Sequence, residues 1–200
     1  MARLAGVAAI VLVTAGVIYG CAWISPESQM ERQLRSELAD MVEGAQDATW
    51  QFREELAADP EAVISEVGGI ADARAALSDP TLEVPFGVWT LIDLAKTDEG
   101  TALTLTTKTD VSRGGGFFTM SDEGRVCFDL LVSPDGSRID TLPADCGDVG
   151  QALGDDLQGD SASIDVGLNE LDLRRSVDSS DYRPLPCQCY SGSDCDCPGG

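Results

Sequence analysis

The 200-residue chain contains no histidine. Imidazole is the usual general base of serine and cysteine hydrolases and a common metal ligand. Its absence therefore excludes Ser-His-Asp and Cys-His triads and imidazole-ligated metal sites. Hydrolysis by carboxylates alone needs two acidic side chains that face each other across a cleft. With 35 Asp and Glu residues in the chain, the sequence nominates no particular pair. We expect a protein that is not an enzyme and has no cofactor.

Basic residues are also scarce. The chain has 13 Lys and Arg residues against 35 acidic ones, a net charge of −22, and its only lysines are Lys96 and Lys108. So negative a surface repels phosphate backbones and anionic headgroups, which excludes nucleic acid as a partner. It attracts cations and basic proteins, and it also favours solubility. The partner we expect is an unknown protein or a cation.

Charge is missing altogether from Leu4–Ile24, a run of 21 residues. At 1.5 Å per residue, a helix of this length crosses a hydrocarbon core of about 30 Å. Arg3 and the free amino group are the positive charges that precede the run. The positive-inside rule then places the N-terminus inside and the chain from Ser25 onward outside the cytoplasm. We expect a protein of the cell membrane whose bulk is extracytoplasmic.

The uncharged run has two interpretations. In the first it is an uncleaved signal-anchor, with Tyr19 and Trp23 at the outer headgroup level. In the second, Ile18-Tyr19-Gly20-Cys21 resembles the lipobox of bacterial lipoproteins, although Tyr19 is bulky where a small residue is usual. Cleavage would then leave a lipidated Cys21 as the first residue. Both interpretations give the same topology.

Residues 27–58 carry an apolar stripe with steps of three and four. The stripe consists of Met30, Leu34, Leu38, Met41, Ala45, Ala48, Phe52 and Leu56. It predicts one amphipathic helix of about nine turns that packs on a core, with a partner-binding coiled coil as the alternative. Asp59-Pro60 ends this helix and begins a short one, and IADARAALS (residues 70–78) adds a further turn or two.

Beyond Phe86 the pattern changes to strands rich in Val, Ile, Thr and aromatic residues. The segments are GVWTLIDLAK, TALTLTTK, GFFTM, RVCFDLLVS and SRIDTL. Thr97–Gly100, Ser121–Gly124 and Ser133–Gly136 have the composition of hairpin turns, and Ser112–Gly116 that of a flexible loop. The sequence therefore predicts an antiparallel meander of about five strands.

Together these patterns predict an α+β fold in which helices pack on the meander. We divide the chain into an anchor or signal segment (1–26), an α+β domain (27–146), an acidic connector with an edge strand (147–183) and a cysteine-rich tail (184–200). A helix on such a sheet resembles cystatin-like and NTF2-like domains in outline, but no motif assigns the chain to either family.

Two of the seven cysteines lie within the predicted meander. Cys127 belongs to the fourth predicted strand, and Cys146 follows the fifth. The turn at Ser133–Gly136 brings both to the same end of a hairpin. In an oxidising compartment this favours a disulfide, which would stabilise the domain by about 3 kcal/mol. The alternative is a pair of buried free thiols.

The tail holds two Cys-X-Cys pairs, formed by Cys187 with Cys189 and by Cys195 with Cys197. Outside the cytoplasm we expect these four cysteines to form two nested disulfides. The alternatives are a zinc or copper site of four thiolates and a pair of redox-active thiols. The function we expect is therefore a non-enzymatic binding or scaffolding module of the cell envelope. A thiol-redox or metal-handling protein that works through the tail is the alternative, and a carboxylate hydrolase is the third hypothesis.

Overall fold

The computed structural model describes residues 26–79, 81–83, 85, 87–115, 118–147 and 164–182. Within these ranges no helix is both long and apolar enough to cross a bilayer. The segment Leu4–Ile24, Cys21 and the four tail cysteines lie outside the described residues. The hypotheses made for them remain predictions.

The first half of the described chain is helical. Its elements are α1 (Pro26–Trp50), α2 (Arg53–Ala58), α3 (Pro60–Val63), a 3-10 turn (Ile64–Glu66) and α4 (Arg74–Ser78). The prediction of one unbroken helix to residue 58 is wrong, because a turn at residues 51–52 separates α1 from α2. The break redirects α2 so that Leu56 is fully buried and its carbonyl accepts a hydrogen bond from the Thr101 hydroxyl, at 3.0 Å.

The second half forms strands. They are β1 (Ile70–Asp72), β2 (Trp89–Thr97), β3 (Gly100–Gly115), β4 (Phe118–Val132), β5 (Arg138–Pro143), β6 (Ile164–Asp165) and β7 (Ser176–Asp178). They make one seven-stranded sheet in the order β1-β2-β3-β4-β5-β7, with β6 paired to β4. The fold is therefore α+β with a mostly antiparallel sheet, and the sheet is larger than the predicted five-stranded meander.

Two predicted hairpin turns are confirmed, and the third is wrong. Thr97–Gly100 joins β2 to β3 and Ser133–Gly136 lies between β4 and β5, with positive φ at Gly100 and Gly136. Ser121–Gly124 instead lies inside β4 and pairs residue by residue with β3. A Cβ at Gly124 would lie 2.7 Å from Leu34, so this glycine permits close approach of α1 rather than a turn.

Strands β3 and β1 correct two further expectations. Residues 112–115, predicted to begin a flexible loop, continue β3 and pair with β4. Ile70–Asp72, predicted as a helical turn, is a strand that pairs in parallel with Trp89–Leu91 of β2. Gly69, with φ of 86°, turns the chain from the 3-10 segment into this strand. Periodicity could not reveal a strand of only three residues.

Helix α1 packs on one face of the sheet, which we term the inner face. Leu34, Leu38 and Val42 of the helix are buried in the same cluster as inner-face residues of β3 and β4. Those sheet residues are Leu103, Leu105, Val126, Phe128 and Leu130. Burial of this apolar surface is the main stabilising contribution to the domain.

The C-terminal part of the described chain closes over the end of α1. Leu168, Leu171 and Val177 are buried in the same core. The Tyr182 ring stacks on the Trp50 ring with centroids 4.6 Å apart, and its hydroxyl donates to Asp47 at 2.6 Å. The described part of the predicted connector, residues 164–182, therefore packs on the folded domain.

Candidate functional site

The face of the sheet opposite α1, which we term the outer face, is the more open one. Residues alternate between the two faces along each strand, so the pairing register defines the outer face. Two rows of cross-strand neighbours run through its centre. The first row is Asp93, Thr104, Asp129 and Leu142, and the second row is Ala95, Ala102, Leu131 and Asp140. All eight side chains are exposed or half-buried, whereas their neighbours on the inner face, such as Leu103 and Leu130, are fully buried.

A β-bulge places one of the outer-face acids. Leu91 pairs with Leu105 on the inner face, and the register then shifts so that Asp93 pairs with Thr104. In a regular strand Ile92 would pair with Thr104, and Asp93, two residues after Leu91, would turn towards the core. Bulges commonly redirect side chains in this way. Here the bulge keeps both Leu91 and Leu94 with the core cluster and Asp93 outside it.

The Asp93 row runs into an open depression of about 470 Å³. Its floor includes Ile92, Asp93, Thr104 and Asp129, and its wall is the segment Pro143–Gly147. The Thr104 hydroxyl donates to Asp129 at 2.6 Å. In the wall, the carboxylate of Asp145 accepts the backbone N–H of Gly147 at 2.9 Å. Three carboxylates thus surround one patch of mixed polar and aliphatic surface.

The disulfide predicted from sequence adjoins this depression. The structure brings Cys127 and Cys146 together as a disulfide with Cα atoms 5.4 Å apart. Cys127 lies on the outer face of β4 and Cys146 lies in the wall segment. The bond therefore holds the wall against the sheet. The remaining predicted site residues, Cys21 and the four tail cysteines, lie outside the described residues.

The arrangement of acids does not form a metal cage. Nowhere in the described part of the chain do three or more His, Cys, Asp or Glu residues lie close enough to hold a metal ion. Asp93 and Asp129 sit on β2 and β4 with β3 between them, so their backbones are about 10 Å apart. The depression is also open to solvent, unlike the apolar pocket that prepares a carboxyl group for general acid catalysis. The geometry suits contact with an extended surface.

A second, smaller cavity of about 250 Å³ lies beside the start of α1. Leu34 lines it on the helix side, and Ile164 and Val166 line it on the other. Arg35 closes its rim by pairing with Glu31 at 2.8 Å and Glu170 at 2.9 Å. Arg35, Glu31 and Glu170 are thus engaged with one another, and we assign this cavity a structural role.

A cluster of ion pairs around Arg74 is also engaged within itself. Arg74 donates to both carboxylate oxygens of Glu61, at 2.7 and 2.8 Å, and to Asp72 at 2.7 Å. These hydrogen bonds lower the pKa of Glu61 and of Asp72 and raise the pKa of Arg74. Perturbed pKa values can mark functional sites. Here they come from a cluster that ties α3 to the start of α4 at the surface.

Polar contacts also join α1 to β5 and to the C-terminal segment. The Gln46 amide, fully buried, donates to the Thr141 hydroxyl and to the Arg174 carbonyl at 2.8 Å. Arg174 pairs with Asp47 at 3.1 Å. Burial, followed by the hydrogen bond to Asp47, raises the pKa of Tyr182 above its usual value. The contact with Thr141 joins the helix to β5, and the contacts of Arg174 and Tyr182 join the C-terminal segment to the helix, which indicates a structural role.

Sequence reasoning missed the outer-face acids. A strict alternation through β2 assigns Asp93 to the same face as Leu91, and only the bulge separates them. Asp129 and Asp140 do alternate with buried residues along their strands. This alternation indicates that their side chains lie on the outer face once the strand bounds are known. No family model, curated protein or solved structure matches this chain.

Proposed function

We propose that this protein is a membrane-tethered, extracytoplasmic binding module whose outer face holds a basic segment of a partner protein. The observation that carries the proposal is the open patch around Asp93, Asp129 and Asp145, in which carboxylates border aliphatic surface. Charge complementarity between such a patch and a cationic segment promotes association and selects the partner.

A polypeptide suits this patch better than a metal ion or a small molecule. The carboxylates lie on two strands that are separated by a third and on the wall segment, so no single small ligand would reach all of them. Leu142, which is 43% exposed, and Ile92 supply apolar contacts beside them. The methylene stems of Lys and Arg lie along apolar surface while their charged ends reach carboxylates. Both features favour a Lys- and Arg-rich segment.

The tether rests on two features of the chain. Leu4–Ile24 has the length and composition of a membrane-crossing segment or of a lipoprotein signal ending at Cys21. The disulfide between Cys127 and Cys146 fits an oxidising compartment, where such bonds form and persist. Both support an extracytoplasmic position for the domain.

The binding proposal is tested with the full chain in detergent and three labelled peptides of equal length, one Lys/Arg-rich, one Glu-rich and one uncharged. We expect the basic peptide to bind and the other two not to bind. The triple variant Asp93→Asn, Asp129→Asn, Asp145→Asn should bind it about tenfold more weakly, since each exposed charge pair contributes about 0.2–1 kcal/mol. Titration calorimetry at 50 mM and 500 mM salt provides the affinities.

The matched control removes the same number of charges elsewhere. Asp40→Asn, Glu55→Gln and Glu66→Gln change exposed acids on the helices and the 3-10 turn. This variant should lose much less affinity, because charges beyond a Debye length of about 10 Å are largely screened. Equal losses in the two variants would mean that net charge alone attracts the peptide. Equal binding of all three peptides would overturn the proposal.

The tether is tested by cell fractionation and by Cys21→Ser. The wild-type chain should sediment with membranes. A lipoprotein carrying Cys21→Ser would keep its signal segment and gain mass at the N-terminus, whereas an anchored chain would keep its size. Wild-type protein that stays wholly in the soluble fraction would contradict both forms of the tether.

A further inference from the structure

The wall of the outer-face depression is fastened to the sheet at few points. Strand β5 ends at Pro143. Among the described residues, the wall beyond Pro143 has two covalent or polar links to the sheet. One is the disulfide between Cys146 and Cys127, and the other is a hydrogen bond from the Ala144 N–H to the Cys127 carbonyl at 3.5 Å. That hydrogen bond is longer than the usual range of about 2.7–3.2 Å, so the disulfide is the stronger link.

The two sulfur atoms of this disulfide differ in their surroundings. Cys127 lies within β4, is only 4% exposed and pairs with Thr106 of β3. Cys146 lies in the wall and is half-buried. An attacking thiolate therefore reaches the sulfur of Cys146 more easily than that of Cys127. Exposed disulfides are the ones that are most readily reduced and used in regulation.

Asp145 depends on the disulfide for its place in the site. It directly precedes Cys146, and its carboxylate accepts the backbone N–H of Gly147, a contact within the wall itself. Asp93 and Asp129, in contrast, are held by the paired strands β2 and β4. Opening of the disulfide would thus free Asp145 to move away and would leave the other two carboxylates in place.

The sheet should survive this opening. Cys127 keeps its backbone pairing with β3 whether or not its sulfur is bonded. One disulfide of this sequence separation also contributes less than the total stability that is typical of a folded domain. The reduced chain should therefore stay folded with its wall released.

We propose that the Cys127–Cys146 disulfide is a redox switch on the outer-face site, so that the oxidised chain holds a basic segment more tightly than the reduced chain. This inference rests on the proposed binding of a Lys- and Arg-rich segment. Charge complementarity is greatest when all three carboxylates face the segment, and only the oxidised chain fixes Asp145 beside the other two.

The reductant of this switch is a protein dithiol. One of its thiolates attacks the Sγ atom of Cys146, the S–S bond breaks, and Cys127 leaves as a thiolate that takes up a proton. The second thiol of the dithiol then displaces Cys146 from the mixed disulfide. Two electrons and two protons thus pass to the chain, and the dithiol becomes a disulfide.

Binding of the labelled Lys/Arg-rich peptide at 50 mM salt, measured by fluorescence anisotropy, tests the switch. The full chain is prepared in detergent with all cysteines except Cys127 and Cys146 replaced, as Cys21→Ser, Cys187→Ser, Cys189→Ser, Cys195→Ser and Cys197→Ser. We call it the two-cysteine chain. Dithiothreitol should weaken its binding about two- to fivefold, the effect of losing one exposed charge pair. The further variant Cys127→Ser, Cys146→Ser should bind with the weaker affinity in both conditions.

Asp145→Asn in the two-cysteine chain tests whether the switch acts through this carboxylate. Without dithiothreitol, this variant should bind as weakly as the reduced parent, and dithiothreitol should weaken it no further. The matched control is Asp40→Asn, an exposed acid on α1, which should keep the full response to dithiothreitol. An equal response in Asp145→Asn and Asp40→Asn would overturn the switch as described.

The outcomes separate this inference from the proposed function on which it rests. A two-cysteine chain that does not bind the peptide in either state would overturn both. Binding that is unchanged or tighter in dithiothreitol, with two free thiols per chain by titration, would overturn the switch and leave the proposed function intact. Unfolding on reduction, detected by circular dichroism, would also overturn the switch, because the fold itself would then require the disulfide.

Discussion

Trp89 shows how single glycines shape this fold. Its ring lies against both Gly44 of α1 and Gly69 before β1, and its indole N–H donates to the Met41 carbonyl at 2.8 Å. A Cβ at Gly44 would lie 3.1 Å from the ring, and one at Gly69 would lie 2.7 Å from it. Gly44 lowers helix propensity, but it lets the ring reach the helix backbone.

Replacement of Gly69 with alanine should destabilise the domain by about 2 kcal/mol or more. The residue has φ of 86°, which costs an L-residue about 1–2 kcal/mol, and its new Cβ would also displace the Trp89 ring. Gly68→Ala is the matched control, since no atom lies within 4 Å of its Cβ position. Urea unfolding should place Gly68→Ala within about 0.5 kcal/mol of the wild type. Equal effects of the two substitutions would contradict this account.

Tyr182 should make stability fall at alkaline pH. Its pKa is raised in the folded state by burial and by the hydrogen bond to Asp47. As pH rises above about 10, the unfolded chain loses the phenolic proton first, so the free energy of unfolding decreases. Tyr182→Phe keeps the stack on Trp50 but has no proton to lose. Its unfolding free energy should fall less steeply between pH 10 and 12, and identical slopes in urea unfolding would disprove the linkage.

At the level of elements, sequence reasoning succeeded where each strand or helix carries a long periodic signal. The apolar stripe predicted α1 in this way, and the composition of Thr97–Gly100 and Ser133–Gly136 predicted the two turns. It failed where tertiary contacts override local composition. The composition of Ser121–Gly124 is typical of a turn, but Gly124 contacts Leu34 and pairs with Thr109 within a strand.

The candidate site was harder to predict than the fold. The sequence located the cysteine pair beside the site, because a hairpin turn between two strands brings their ends together. It could not place Asp93 on the outer face, because the bulge at Ile92 has no local composition signal. Nor could it group Asp129 with Asp145, which depends on how the wall segment folds back over the sheet.

Loss of the disulfide should destabilise the domain by about 3 kcal/mol, the chain-entropy value for a sequence separation of 19 residues. Residues 26–183 provide a suitable background because Cys127 and Cys146 are their only cysteines. Urea unfolding compares this fragment with its Cys127→Ser, Cys146→Ser variant. A reducing agent should bring the fragment to the level of the variant and leave the variant unchanged. Equal midpoints without reducing agent would mean that the bond contributes no stability.

For the whole molecule, the described contacts extend the folded domain at least as far as Tyr182, which contacts both Trp50 and Asp47. Truncation after Arg183 retains these contacts and should leave the melting temperature within a few degrees of the full-length value. Truncation after Ser179 removes Tyr182 and should lower it by about 5 °C, from the lost stack and hydrogen bond. Equal melting temperatures for the two truncations would show that the contacts of Tyr182 add no stability.

Truncation after Arg183 also decides the chemistry of the tail, since it removes Cys187, Cys189, Cys195 and Cys197 together. If the tail is closed by disulfides, the full chain made in an oxidising compartment has no free thiols and no bound metal. If the tail holds a metal, about one zinc or copper ion per chain co-purifies and is lost on truncation. Thiol titration and elemental analysis distinguish these states. We expect the disulfides, because paired cysteines persist outside the cytoplasm. Stoichiometric metal that survives a competing chelator would contradict this expectation and favour a metal-handling function.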